Sequence, residues 1–196
     1  MNKKEIAQVV SYFRKMDFFS DAKDSPARIV SEFATRDDPW WGPLATYEPD
    51  PHDPKCFSDL VVLRHDVARV WCLESWECLF DKGVQKEGKA YCKDYGEVMG
   101  HLARLSRHRF SLAGEAARRG TLTVFFAEKK FPIKFRTDSN VFSMDFLEKI
   151  NEVIAPSQHE FVFISNQYCT GFILLLSTEE KERLRIERGW QYFSFK

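Results

Sequence analysis

The sequence predicts an α+β fold: an antiparallel sheet with helices packed mainly on one face, preceded by a pair of N-terminal helices. Three observations lead there. Apolar residues recur at helical spacing near the start of the chain and again over 146–154. Between 122 and 135 and between 160 and 176 they alternate or run together in short, strand-length stretches. Each of these paired stretches is followed by a helical pattern, so the C-terminal order reads ββαββα, with room for a final strand.

Taken in order, Ile6, Val9, Val10, Phe13 and Met16 fall on one stripe and predict an amphipathic helix over 4–18. A second helix begins after Asp24 and Ser25, with Pro26 in its first turn, and offers Ile29, Val30 and Phe33 to a core. Residues 36–56, RDDPWWGPLATYEPDPHDPKC, then hold five of the eight prolines. Prolines at 39, 43, 49, 51 and 54 remove backbone donors and fix φ, so no helix or central strand fits there. Asp59–Leu63 and Ala68–Leu73 read as strands joined by the polar turn Arg64-His65-Asp66, and 81–90 as an exposed loop.

Tyr95, Met99, Leu102 and Leu105 mark a further helix, weakened by Gly96 and Gly100 at about 1 kcal/mol each against alanine. Ala116 to Gly120 reads as a short helical turn closed by glycine. Leu122, Val124 and Phe126, then Phe131, Ile133 and Phe135, alternate on either side of Glu128-Lys129-Lys130 and predict a hairpin. Ser143 is placed to cap a helix whose stripe is Phe146, Leu147, Ile150, Val153 and Ile154, stopped by Pro156. Glu160–Ile164 and Gly171–Leu176 form a second hairpin, apolar enough to be central. In the last helix Ser177 and Glu180 have capping-box spacing, and Gly189 ends it.

A chain of 196 residues fits one domain over 1–196: N-terminal helices to 36, an acidic Pro/Trp-rich stretch over 37–57, and an α+β core over 58–196. With 29 basic and 29 acidic side chains the formal charge is zero, which argues against nucleic acid as the partner. The longest apolar run, Phe172–Leu176, is far too short to span a bilayer, so no membrane role is expected. The charged start of the chain does not read as a signal peptide. Five cysteines at irregular spacing, without C-x-x-C, read as reduced thiols; the expected localisation is cytoplasmic.

No catalytic signature is present: G-x-S-x-G, G-x-G-x-x-G and G-x-x-x-x-G-K-[ST] are all missing. His52, Asp53 and Cys56, with His65 and Asp66 further on, lack the second clip that a zinc site needs. No metal, cofactor or catalytic residue is therefore expected. The run Arg104, Arg107, His108 and Arg109 suits a helix C-terminus, and offers an alternative anion site.

The successive segments RVWCLESWEC, YGEVMGHLARLSRHRF, MDFLEKINEVIAP and FILLLSTEEKERLRIERGW together resemble a group of small bacterial proteins. These are the immunity-type proteins associated with polymorphic toxins and with contact-dependent or type VI secretion effectors. The resemblance spans roughly 61–190 and rests on structural motifs. It implies a binding protein that neutralises a cognate toxin or effector, with no family catalytic residues to carry over.

The proline stretch fits that expectation. Adjacent Trp40 and Trp41 cannot easily both be buried, so one is expected to staple the stretch and the other to stand beside Tyr47, Glu48, Asp50 and Asp53. Aromatic anchors within a charged rim are the usual make-up of a protein interface. The alternatives from other classes are a small cytoplasmic enzyme acting on a nucleotide or modified side chain through the Arg/His clamp, and a non-catalytic adaptor. The sequence leaves the oligomeric state open.

Overall fold

The computed structural model describes residues 1–20, 26–35, 48, 52, 56–73, 89–118, 120–135, 144–165 and 170–192. They form a mixed α+β structure with two small antiparallel sheets. The first sheet has the order β1-β6-β5, from Val70–Leu73, Gly171–Ser177 and His159–Ser165. The second has the order β2-β3-β4, from Leu112–Arg118, Thr121–Phe126 and Lys129–Lys134.

The first sheet owes its place to period-2 geometry, which sends successive side chains to opposite faces. Val162, Ile164, Phe172, Leu174 and Leu176 enter one core with α1 (Lys3–Arg14), α2 (Pro26–Thr35), α3 (Phe57–Leu63) and Leu184 of α6 (Thr178–Arg188). Phe161, Phe163, Ile173 and Leu175 enter a second core with α4 (Lys89–Ser106), α5 (Met144–Ile154) and the apolar face of the second sheet. The expected one-sided packing of helices therefore holds for the second sheet alone. A strand reading Phe-Ile-Leu-Leu-Leu is apolar on both sides, so both sides of the first sheet must be covered.

The helices follow their stripes. Asn2 caps α1 by accepting from the backbone of Lys4 and Glu5, and Glu5 reaches back to the Asn2 N–H at 2.7 Å. Ile6, Val9, Val10 and Phe13 are buried; α1 ends at Arg14, and Met16 is buried in the turn that follows. In α2 Ile29 and Val30 are buried, while the side chain of Phe33 lies outside the described residues. In α5 Phe146, Leu147, Ile150 and Ile154 are buried and Val153 is half-buried; Ser143 lies outside the described residues. Ser177 and Glu180 form the capping box of α6, and Gly189 closes that helix at φ 66°, a left-handed conformation that glycine adopts without strain.

Three elements depart from expectation. Residues 57–63 are a helix, not a strand: Phe57, Leu60, Val61, Val62 and Leu63 are all buried, and a helix covered over most of its surface shows no clear amphipathic stripe. Residues 112–118 are a strand, not the helical turn expected from Ala116 to Gly120, because they pair with β3 in the register Leu112↔Phe126 to Glu115↔Thr123. A Cβ at Gly114 would sit 3.0 Å from Met99 Cγ on α4, a tight contact that the Met99 side chain would have to yield to. The β3–β4 turn is one residue earlier and tighter than expected, with Ala127 and Glu128 at φ 48° and 64° and Phe126 paired to Lys129. The expected loop 81–90 also gives way to α4 at Lys89; its residues 81–88, the 166–169 turn and any strand over 193–196 lie outside the described residues.

Candidate functional site

The proline stretch ends on a fixed post. Cys56 and Phe57 are buried in the first core, and Phe57 meets Phe172 of β6 edge-on at 5.3 Å. Just before this anchor, Glu48 and His52 are exposed. Trp40, Trp41, Tyr47, Asp50 and Asp53, the remaining residues expected to form an interface, lie outside the described residues.

Glu48 stands at the edge of an open depression of about 420 Å³. Its other walls are Met1 just ahead of α1, Glu5, Gln8 and Val9 of α1, Ser58 and Asp59 of α3, and Arg188 at the end of α6. The floor is held by a buried carboxylate. Asp59, 3% exposed, accepts from Arg188 Nε at 3.0 Å, from Arg188 Nη2, and from Trp190 Nε1 at 2.9 Å. Trp190 is itself buried, its ring 5.7 Å from that of Phe13. Among the described residues, every donor that meets the carboxylate comes from the end of α6 or the segment just after it, so α3 and the end of α6 are locked at one point.

A second polar network lies at the opposite end of α6. Arg69, 5% exposed, donates to Met16 O at 3.1 Å and to Glu180 Oε1 at 3.2 Å, with its guanidinium 4.2 Å over the Phe18 ring. Asp66 accepts from the Phe19 N–H at 2.6 Å. Burial pushes the Asp66 carboxyl above the ordinary aspartate range, and the Phe19 N–H draws it partly back.

This network takes one member of the basic run. Arg109 Nη2 lies 3.1 Å from Glu180 Oε1 and 3.7 Å from Asp17 Oδ2, so its charge is paired within the chain. Arg107 and His108 are exposed and bonded to one another, Nε to Nε2 at 2.9 Å. Arg104 is half-buried, and its Nε has no hydrogen-bond acceptor among the described residues. The four do not converge as a clamp.

Of the candidate zinc ligands, Asp53 is outside the described residues, and Cys56 is buried while His52 is exposed. Among the described residues no group of three or more His, Cys, Asp and Glu side chains comes together. No described helix is long and apolar enough to cross a membrane. Asp59, Arg69 and Glu180, which organise both polar networks, were not singled out by sequence reasoning; only the capping role of Glu180 had a local signal.

Comparison with protein-family models, with curated proteins and with solved structures finds no match.

Proposed function

We propose that this chain is an immunity-type protein that binds a cognate bacterial toxin or effector domain and blocks it. The observation that supports the reading is the setting of Glu48. An exposed acid of the proline stretch borders a depression whose second exposed rim acid is Glu5, above a floor fixed by the Asp59–Arg188–Trp190 lock. A rigid floor lowers the ordering cost of binding, and rim acids steer a basic partner toward it. Trp40, Trp41 and Tyr47, the aromatic residues this reading assigns to the partner, belong to the same sequence stretch as Glu48. Diversion of Arg109 into the Glu180 network weakens the competing reading of an Arg/His clamp.

Co-expression with the open reading frame directly upstream tests the proposal. An immunity protein restores growth to cells made sick by that neighbour and co-purifies with it. Growth arrest that this chain does not relieve, with no complex recovered, rejects the reading.

A further inference from the structure

We propose that the outer face of the second sheet docks a second copy of this chain, face to face about a two-fold axis parallel to the strands. The inner face of that sheet, with Leu122, Val124, Phe126 and Ile133, is buried in the second core. Strand alternation sends Thr121, Thr123 and Phe125 of β3 to the other side. Register sets Ala113 and Glu115 of β2 on one flank of these residues, and Lys130, Pro132 and Lys134 of β4 on the other. Lys130 Nζ lies 5.3 Å over the Phe125 ring, which places both side chains on one face. The named residues of β2 and β4 are exposed, and those of β3 are half-buried.

Charge is spread unevenly over this face. Glu115 marks the β2 side, Lys130 and Lys134 mark the β4 side, and threonine and phenylalanine lie between. Among the described residues, neither Glu115 nor Lys134 forms an ion pair within its own chain. The side chain of Arg118, at the far end of β2, lies outside the described residues. Sheets packed face to face run nearly aligned, and a two-fold axis between them can lie across the strands or along them. Across, it lays β2 on β2 and β4 on β4, so glutamate meets glutamate and lysine meets lysine. Along, it lays β2 of each copy on β4 of the other. Glu115 is level with Thr123, and Thr123 with Pro132. Each Glu115 therefore stands over Pro132 of the other copy, between Lys130 and Lys134, and Phe125 meets Phe125 near the axis. Opposite charges are matched twice, as an isologous contact requires.

Edge-to-edge pairing is the competing mode, and the lysines and Pro132 of β4 disfavour it. The face is small: three strands of about five residues span roughly 14 Å by 17 Å. That falls short of the roughly 800 Å² per partner of a standard interface, so the dimer is weak, with Kd on the order of 100 µM.

Sedimentation equilibrium of the full chain at low salt, from about 10 µM to about 1 mM, provides the test. The wild type should follow a monomer–dimer equilibrium. Glu115→Lys should weaken it at least tenfold, and so should Lys130→Glu combined with Lys134→Glu, because each sets like charges together. An equimolar mixture of these two variants restores opposite charges on both sides, and should associate within about threefold of the wild type. The substituted side chains are exposed, so the variants should melt with the wild type. Should one fail to fold, the wild type alone suffices. On dilution the amide resonances of Thr123 and Phe125 should shift, and that of Arg185 on α6 should stay. A chain that is monomeric throughout, a dimer that survives both charge variants, or a mixture that stays monomeric overturns the proposal. None of these results bears on toxin neutralisation.

Discussion

The side-chain amide of Asn151 grips the backbone of Phe161 at both ends: the Phe161 N–H donates to Oδ1 at 2.8 Å, and Nδ2 donates to the Phe161 carbonyl at 2.9 Å. Phe161 lies on β5, whose other side pairs with β6, so this is the outer edge of the first sheet. A carboxamide has the donor and acceptor of a peptide group, and α5 uses one to stand in for a missing strand. Open edges invite pairing with other chains, and this contact blunts one.

Asn151→Asp should therefore be worse than its small change in shape suggests. It keeps the acceptor for the Phe161 N–H but sets a carboxylate oxygen against the carbonyl. A loss of about 1–3 kcal/mol is expected in urea unfolding at neutral pH. A variant as stable as the wild type would mean that water serves the edge equally well.

Much of this region was legible in the sequence. The α5 stripe, the Ser177–Glu180 box and the β5 and β6 runs carry strong local signals, and each stands where expected. The failures have physical causes. Phe57–Leu63 is buried at every position but Ser58, so its β-branched valines looked like a strand. Leu112–Arg118 is rich in alanine and glycine, and only pairing with β3 makes it extended. The Asp59–Arg188 contact joins residues 129 apart, which no local pattern announces.

The core should rank as its burial does. Ile150 is fully buried between α5 and the sheets, so Ile150→Ala should cost roughly 2–5 kcal/mol. Arg185 is exposed and, among the described residues, paired only with Glu182 on its own helix, so Arg185→Ala should change stability by no more than about 0.5 kcal/mol. Thermal melts of the two variants check the order.

The β3–β4 turn is a place to gain stability. Ala127 and Glu128 both occupy left-handed backbone, which an L residue with a Cβ adopts at a cost of roughly 1–2 kcal/mol. A two-residue turn of this kind prefers Asn-Gly. The double change Ala127→Asn with Glu128→Gly should raise Tm by a few degrees, roughly 2–4 °C per kcal/mol for a chain of this size. Scanning calorimetry would register it.

His101 should make stability depend on pH in one direction. Burial and Arg104 depress its folded-state pKa below the unfolded value of about 6.5. The unfolded chain then takes up the proton first as pH falls. This contribution is fully present above about pH 6.5 and is lost as pH drops through the lower, folded value. His101→Gln removes the titration, so the gap in Tm between wild type and variant should narrow over that window. A gap that widens on acidification would contradict the assigned direction.

The functional claim rests on charge at the edge of the depression. Glu48 is exposed, and the neighbouring acids Asp50 and Asp53 belong to the same proline-fixed stretch. If they face the toxin, Glu48→Lys combined with Asp50→Lys should slow association with the co-purified partner. Rim charges act by long-range steering, so dissociation should change far less. The slowing should fade as salt is raised, because screening shortens the reach of these charges to about 8 Å at physiological ionic strength. Neither residue belongs to the Asp59–Arg188–Trp190 lock, so the double variant should melt with the wild type. Stopped-flow association at two salt concentrations separates the cases. An unchanged rate, with protection from the toxin intact, would show that the partner does not approach over this edge. Truncation of Trp40 and Trp41 one at a time asks the complementary question: loss of the ring that anchors the partner should speed dissociation by on the order of 2 kcal/mol, and loss of its neighbour should not.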